Sequence, residues 1–121
     1  FESEEQAFAK LTRRAQTLKD GAASADVALK GFSQETQLAI AEMNSGVAKL
    51  KALGSSLSKA EKGTEKSLAG VEEVLAELRT SPSTDAIALR SELGVVQATL
   101  ERQRRDAMRE LKRIYKQGIE I

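Results

Sequence analysis

The residues with the clearest chemical potential are basic. Between positions 102 and 116 the chain carries Arg102, Arg104, Arg105, Arg109, Lys112, Arg113 and Lys116 against two acids, Asp106 and Glu110. A second run, 49–66, holds Lys49, Lys51, Lys59, Lys62 and Lys66 against Glu61 and Glu65. The chain as a whole is close to neutral, with 19 Lys and Arg against 18 Asp and Glu, so both runs are local concentrations. Like charges three or four positions apart on a helix repel each other by a few tenths of a kcal/mol per pair. Such runs do not help a chain to fold. They suit an acidic partner: a protein polymer such as a microtubule, a nucleic acid backbone or an acidic membrane surface. The protein polymer is favoured. Tyr115 is the only aromatic in the basic run, too little for a stacking platform, and no DNA-reading motif surrounds it. A zipper-type basic region would precede its coiled coil, whereas this one follows. The candidate partner-binding residues are Lys49, Lys51, Lys59, Lys62, Arg102, Arg104, Arg105, Arg109, Lys112, Arg113 and Lys116.

Other chemistry is poorly supplied. The chain has no histidine and no cysteine, which removes the common zinc sites, the usual general base and the Ser-His and Cys-His nucleophile systems. Carboxylate pairs such as Glu72-Glu73 and Glu61 with Glu65 fit the solvated face of an amphipathic helix. Lys62-Gly63-Thr64 resembles the end of a phosphate loop but lacks the upstream glycine and the preceding strand. No enzymatic role, cofactor or metal site is expected. Absence of cysteine also excludes a disulfide framework and points to a cytoplasmic or nuclear setting. No apolar run approaches the ~20 residues of a membrane-spanning helix. The first residue is Phe1 rather than Met, as in a segment of a larger protein.

The elements that must carry these charges are helical. Proline occurs once and aromatics make up 3% of the chain, while 31% is charged, a profile of long helices rather than a globular core. Stepping alternately three and four residues from Phe8 to Leu78 visits 21 positions, of which 17 are apolar, against about 8 for a patternless chain that is 40% hydrophobic. This is the heptad signature of a coiled coil. It predicts one long helix over about 4–79, started by a capping box between Ser3 and Gln6 and continuous through Gly21 and Gly54. Thr80-Ser81-Pro82-Ser83 is the one strong break. A return helix over about 82–117, with Ser81 as N-cap, would lie antiparallel to the second half of the long one. Residue i then sits beside about 164 − i, and Ile121 beside position 43. From Ile40 onward the apolar stripe widens to include Ile40, Val47, Leu68 and Leu75, as a helix touching more than one neighbour requires.

The resulting expectation is all-α. Residues 1–40 form a two-stranded coiled coil, and 41–121 form an antiparallel helical hairpin that makes four helices in a homodimer. The seam residues are Phe8, Leu11, Leu18, Leu29, Phe32, Met43, Leu50, Leu53, Leu57, Val71, Val74, Leu78, Leu93, Val96 and Leu100. Gln103 lies in the return helix's seam, where a polar residue sets register or oligomer state. The main function reading is a non-enzymatic dimerisation or scaffold segment of a cytoskeletal or structural protein. The alternative is a basic module docking on an acidic polymer. An antiparallel dimer stays open, as does a monomeric bundle of three or four short helices broken at Gly21 and Gly54.

Overall fold

The computed structural model describes residues 3–121, apart from the side chains at 44 and 45. Helix α1 spans Glu4–Leu29, α2 Phe32–Ala41, α3 Met43–Leu78 and α4 Thr84–Tyr115. The start of α1 is set by the predicted capping box: the Gln6 amide donates to Ser3 Oγ at 3.2 Å, and the Ser3 amide donates to Gln6 Oε1 at 3.1 Å. Glu4 and Glu5 occupy its first turn, where the helix dipole favours negative charge. Gly21 and Gly54 both lie inside continuous helix, as expected.

A single helix over 4–79 does not form. It is interrupted at Lys30-Gly31 and again around Glu42. Glu42 takes φ −99°, ψ 19°, and Gly46 takes φ −140°, ψ 29°, outside the helical range. Between them the chain turns back on itself. Arg14 pairs with Glu73, and a Cβ at Gly70 would lie 3.2 Å from Leu18 Cδ2, so positions rise along α1 as they fall along α3. The two helices are antiparallel. Residues 1–40 were expected to wait for a second chain. From α1 onward they instead pack on α3 and α4 of their own.

Helix α4 runs back along α3, placing Arg104 against Glu61 and Glu65. It is parallel to α1: Gln103 reaches the Ala22 carbonyl, and Thr12, Ala15 and Gln16 share a groove with Leu89, Glu92 and Leu93. The molecule is thus an up-down-up arrangement of α1, α3 and α4, with α2 continuing the first arm beyond a kink. α3 is in contact with all three other helices. Of the wider stripe, Leu68 and Leu75 of α3 pack on the core, whereas Ile40 belongs to α2 and Val47 is 44% exposed.

Every one of the fifteen seam residues lies in one of two clusters formed within this chain. Phe8, Leu11 and Leu18 pack against a core containing Val71, Val74, Leu78, Leu93, Val96 and Leu100. Leu29, Phe32, Met43 and Leu53 pack against Leu50 and Leu57 at the other end. The stripe read as a dimer seam is covered by the chain itself. Among the described residues no helix is long and apolar enough to cross a membrane.

Two further boundaries differ from expectation. α4 begins at Thr84, with Ser83 Oγ accepting from the Ala86 amide at 3.1 Å, so Ser83 rather than Ser81 is the N-cap and Pro82 stays outside the helix. At the other end Gly118 adopts φ 78°, the left-handed conformation that terminates helices and that glycine takes without a Cβ clash. The tail therefore leaves the α4 axis. Ile119 is buried, and Ile121 seats its side chain on Gly54 rather than near position 43.

Gly21, Gly63 and Gly94 are exposed helical positions where a Cβ would meet nothing within 4 Å. Substituting each by Ala should raise stability by roughly 0.5–1 kcal/mol, because glycine is the less favourable helix former. Gly70→Ala should gain less, as its methyl meets Leu18 at 3.2 Å. Denaturant unfolding of the four variants checks this; a loss at Gly21 would contradict a continuous α1.

Candidate acidic-partner face

The fold sorts the eleven candidate basic residues into two groups. Arg104 bridges Glu61 at 3.2 Å and Glu65 at 2.7 Å, joining α4 to α3. Arg102 donates to both carboxylate oxygens of Asp26, at 2.9 and 3.1 Å, joining α4 to α1. Arg109 pairs with Asp106 at 3.0 Å, and Arg113 with Glu110 at 2.8 Å. Each of these four arginines has a carboxylate partner within the chain. Among the described residues, Lys49, Lys51, Lys59, Lys62, Arg105, Lys112 and Lys116 make no ion pair with a carboxylate.

On α4 the positions 105, 109, 112 and 116 are spaced by four, three and four residues, which sets them in one line along the helix. The buried line of the same helix includes Gln103, Ala107 and Ile114, so the basic line faces outward. It borders a groove of about 900 Å3 between α3 and α4. Arg105, Met108, Lys112 and Lys116 line that groove from α4, and Glu65, Leu68, Ala69 and Glu72 from α3. Met108 is 38% exposed and contributes an apolar patch beside the charges. The lysines of 49–62 are exposed on α3 but do not line the groove. The two basic runs thus stand on neighbouring helices without merging into one pocket.

The most specific polar constellation was only half visible beforehand. Gln103 is fully buried. Its Nε2 donates to the Ala22 carbonyl at 2.7 Å and to Asp26 Oδ1 at 2.9 Å. Both partners are acceptors, so the amide orientation is fixed, and Oε1 is left buried without a donor. The Gln103 hydrogen bond, and after it the Arg102 hydrogen bonds and charge, hold the Asp26 carboxyl below the usual carboxylate range, with burial opposing them in part. Gln103 stood out in the sequence as a polar seam residue. Asp26 did not, because its role follows from α1 folding beside α4. Arg90 was also missed: its guanidinium donates to the carbonyls of Leu78 and Arg79 at 2.9 and 3.1 Å, at the end of α3, where the Leu78 carbonyl also accepts from the Ser81 amide.

Two tests follow from this chemistry. Thr36 is buried with no partner for Oγ1, so Thr36→Val should be neutral or stabilising by up to about 1 kcal/mol, whereas Gln103→Ala should cost about 2–3 kcal/mol through a cavity and two lost hydrogen bonds. Urea unfolding distinguishes the two. For Asp26, a lowered folded pKa means its contribution is present above the ordinary carboxylate value of about 3.9 and disappears as pH falls through the lower folded value. Asp26→Asn should therefore be less stable than wild type at pH 7, and the gap should close in strong acid. A gap that does not change with pH would contradict the assignment.

Comparison with protein-family models, curated proteins and solved structures finds no match to this chain.

Proposed function

We propose that this chain is a non-catalytic helical binding module that docks through the outer basic line of α4 on an acidic protein surface, with a protein polymer as the favoured partner. In this reading α3 and α4 act as an antiparallel helical hairpin presenting the charges, and α1 braces it from the opposite side. The observation that supports it is the sorting of charges. Arg102, Arg104 and Arg113 are used by the fold, while Arg105, Lys112 and Lys116 lie along one exposed line without carboxylate partners among the described residues. Exposed unpaired cations in a row repel one another and are relieved by an anionic surface. A row fixed on a helix suits an ordered array of carboxylates. Nucleic acid is the weaker fit, since Tyr115 is the lone aromatic of this segment.

The scaffold reading changes its footing. The seam that would have held two chains together is covered within one, so an association between intact bundles would need another surface. Val27, Ile87 and Val95 are 78%, 49% and 68% exposed on α1 and α4 and are among the apolar side chains available for it.

Triple reversal of Arg105, Lys112 and Lys116 to Glu should reduce co-sedimentation with microtubules at least tenfold, and wild-type binding should fall steeply between low and physiological salt. Arg104→Glu should act differently. It places a third carboxylate beside Glu61 and Glu65 and should lower stability. Binding that survives the triple reversal would overturn the proposal.

A further inference from the structure

At the α2–α3 reversal the sequence pattern and the fold disagree, and the disagreement carries information. The three-four alternation of seam positions runs from Ala39 through Met43, Gly46 and Leu50 without a phase change, although the chain reverses between Glu42 and Gly46. A turn has no need to keep helical phase. If the backbone at Glu42 and Gly46 became helical, the end of α2 would continue into α3 with the apolar stripe still on one side. We infer that α1 and α2 can swing out as one arm and pack on α3 and α4 of a second copy, giving a swapped dimer joined through an elongated central helix.

The balance of contacts allows it. An exchanged arm makes the same side-chain contacts in trans that it makes in cis, so the two forms differ at the hinge and in the entropy of association. The arm packs on both clusters through Phe8, Leu11, Leu18, Leu29 and Phe32 as well as the small Ala15 and Ala22, and Gln103 bonds to its Ala22 carbonyl and Asp26. All of these contacts re-form in trans, so their strength does not favour one form over the other. The hinge is short, with Glu42 alone between α2 and α3, and short hinge loops favour exchange. Gly46 then acts as the governor of the equilibrium. Glycine disfavours the straight helix by about 1 kcal/mol relative to alanine. The closed turn does not need it sterically, since a Cβ there would come no nearer than 3.9 Å to Lys49. Alanine at 46 should therefore favour the open form while leaving the closed one sterically intact. This inference is independent of the basic line on α4.

The test uses Gly46→Ala and absolute mass by light scattering across a range of concentrations. Two hinges straighten per dimer, so the association constant should rise at least tenfold over wild type. Inserting Gly-Gly-Ser after Glu42, which relaxes the closed turn, should lower it. The chain has no cysteine, so Arg14→Cys with Glu73→Cys, placed where the two side chains pair, can be joined by a short bis-maleimide. In the dimer fraction the link should join two chains covalently, and in the monomer fraction it should close one. A Gly46→Ala protein that stays monomeric at millimolar concentration would overturn the inference. So would a dimer whose links all lie within single chains.

Discussion

The central constraint is the width of the apolar stripe on α3. A helix with one narrow stripe is satisfied by one neighbour, but α3 buries residues toward α4 and toward the α1–α2 arm at once. Leu50 and Leu57 lie in the cluster with Phe32 and Leu111, and Val71 and Val74 in that with Leu18 and Leu93. Covering both sides within one chain requires the reversal at Glu42–Gly46 and the break at Lys30–Gly31, which splits the first arm so that α2 can follow α3. The fold is the set of bends that lets α1, α3 and α4 of a single polypeptide close on a shared core, each touching the other two.

The charged residues divide along the same lines. Arginines that face a neighbouring helix are used to fix helix pairs: Arg104 ties α4 to α3, and Arg102 ties α4 to α1. Surface pairs of this kind contribute little energy each. Gln103 adds the more discriminating contact. A slip of α1 by one turn would take the Ala22 carbonyl and Asp26 away from its amide, and a buried amide without partners costs about twice what a hydrogen bond gains. The register of α1 against α4 thus rests on a polar group in the core. Cations pointing away from every neighbour are left for the surroundings to satisfy.

Much of the helical content was legible because it depends on local spacing. The Ser3–Gln6 cap, passage through Gly21 and Gly54, and the break near Pro82 all follow from short-range chemistry, and the structure shows each of them. The reversal at 42–46 was not legible. Heptad periodicity states which residues of a helix are covered, not whether the cover comes from the same chain. Ala39 and Leu50 sit at seam positions on either side of the turn and Met43 and Gly46 within it, so the pattern passes through undisturbed. The widening after Ile40 did not mark the turn, since Ile40 lies in α2 and Val47 is exposed. Of the candidate binding residues, periodicity could group them but could not separate Arg104, which has two carboxylates across the α3–α4 contact, from Arg105, which has none among the described residues.

The guanidinium of Arg90 has a consequence for how the α3–α4 corner behaves. A side chain nearly two turns into α4 grips the last carbonyls of α3, so the corner has a polar cross-brace beside the packing of Leu78, Ala86 and Leu89. Any loosening of that corner should begin at the brace and spread outward, like a joint whose pin has been drawn.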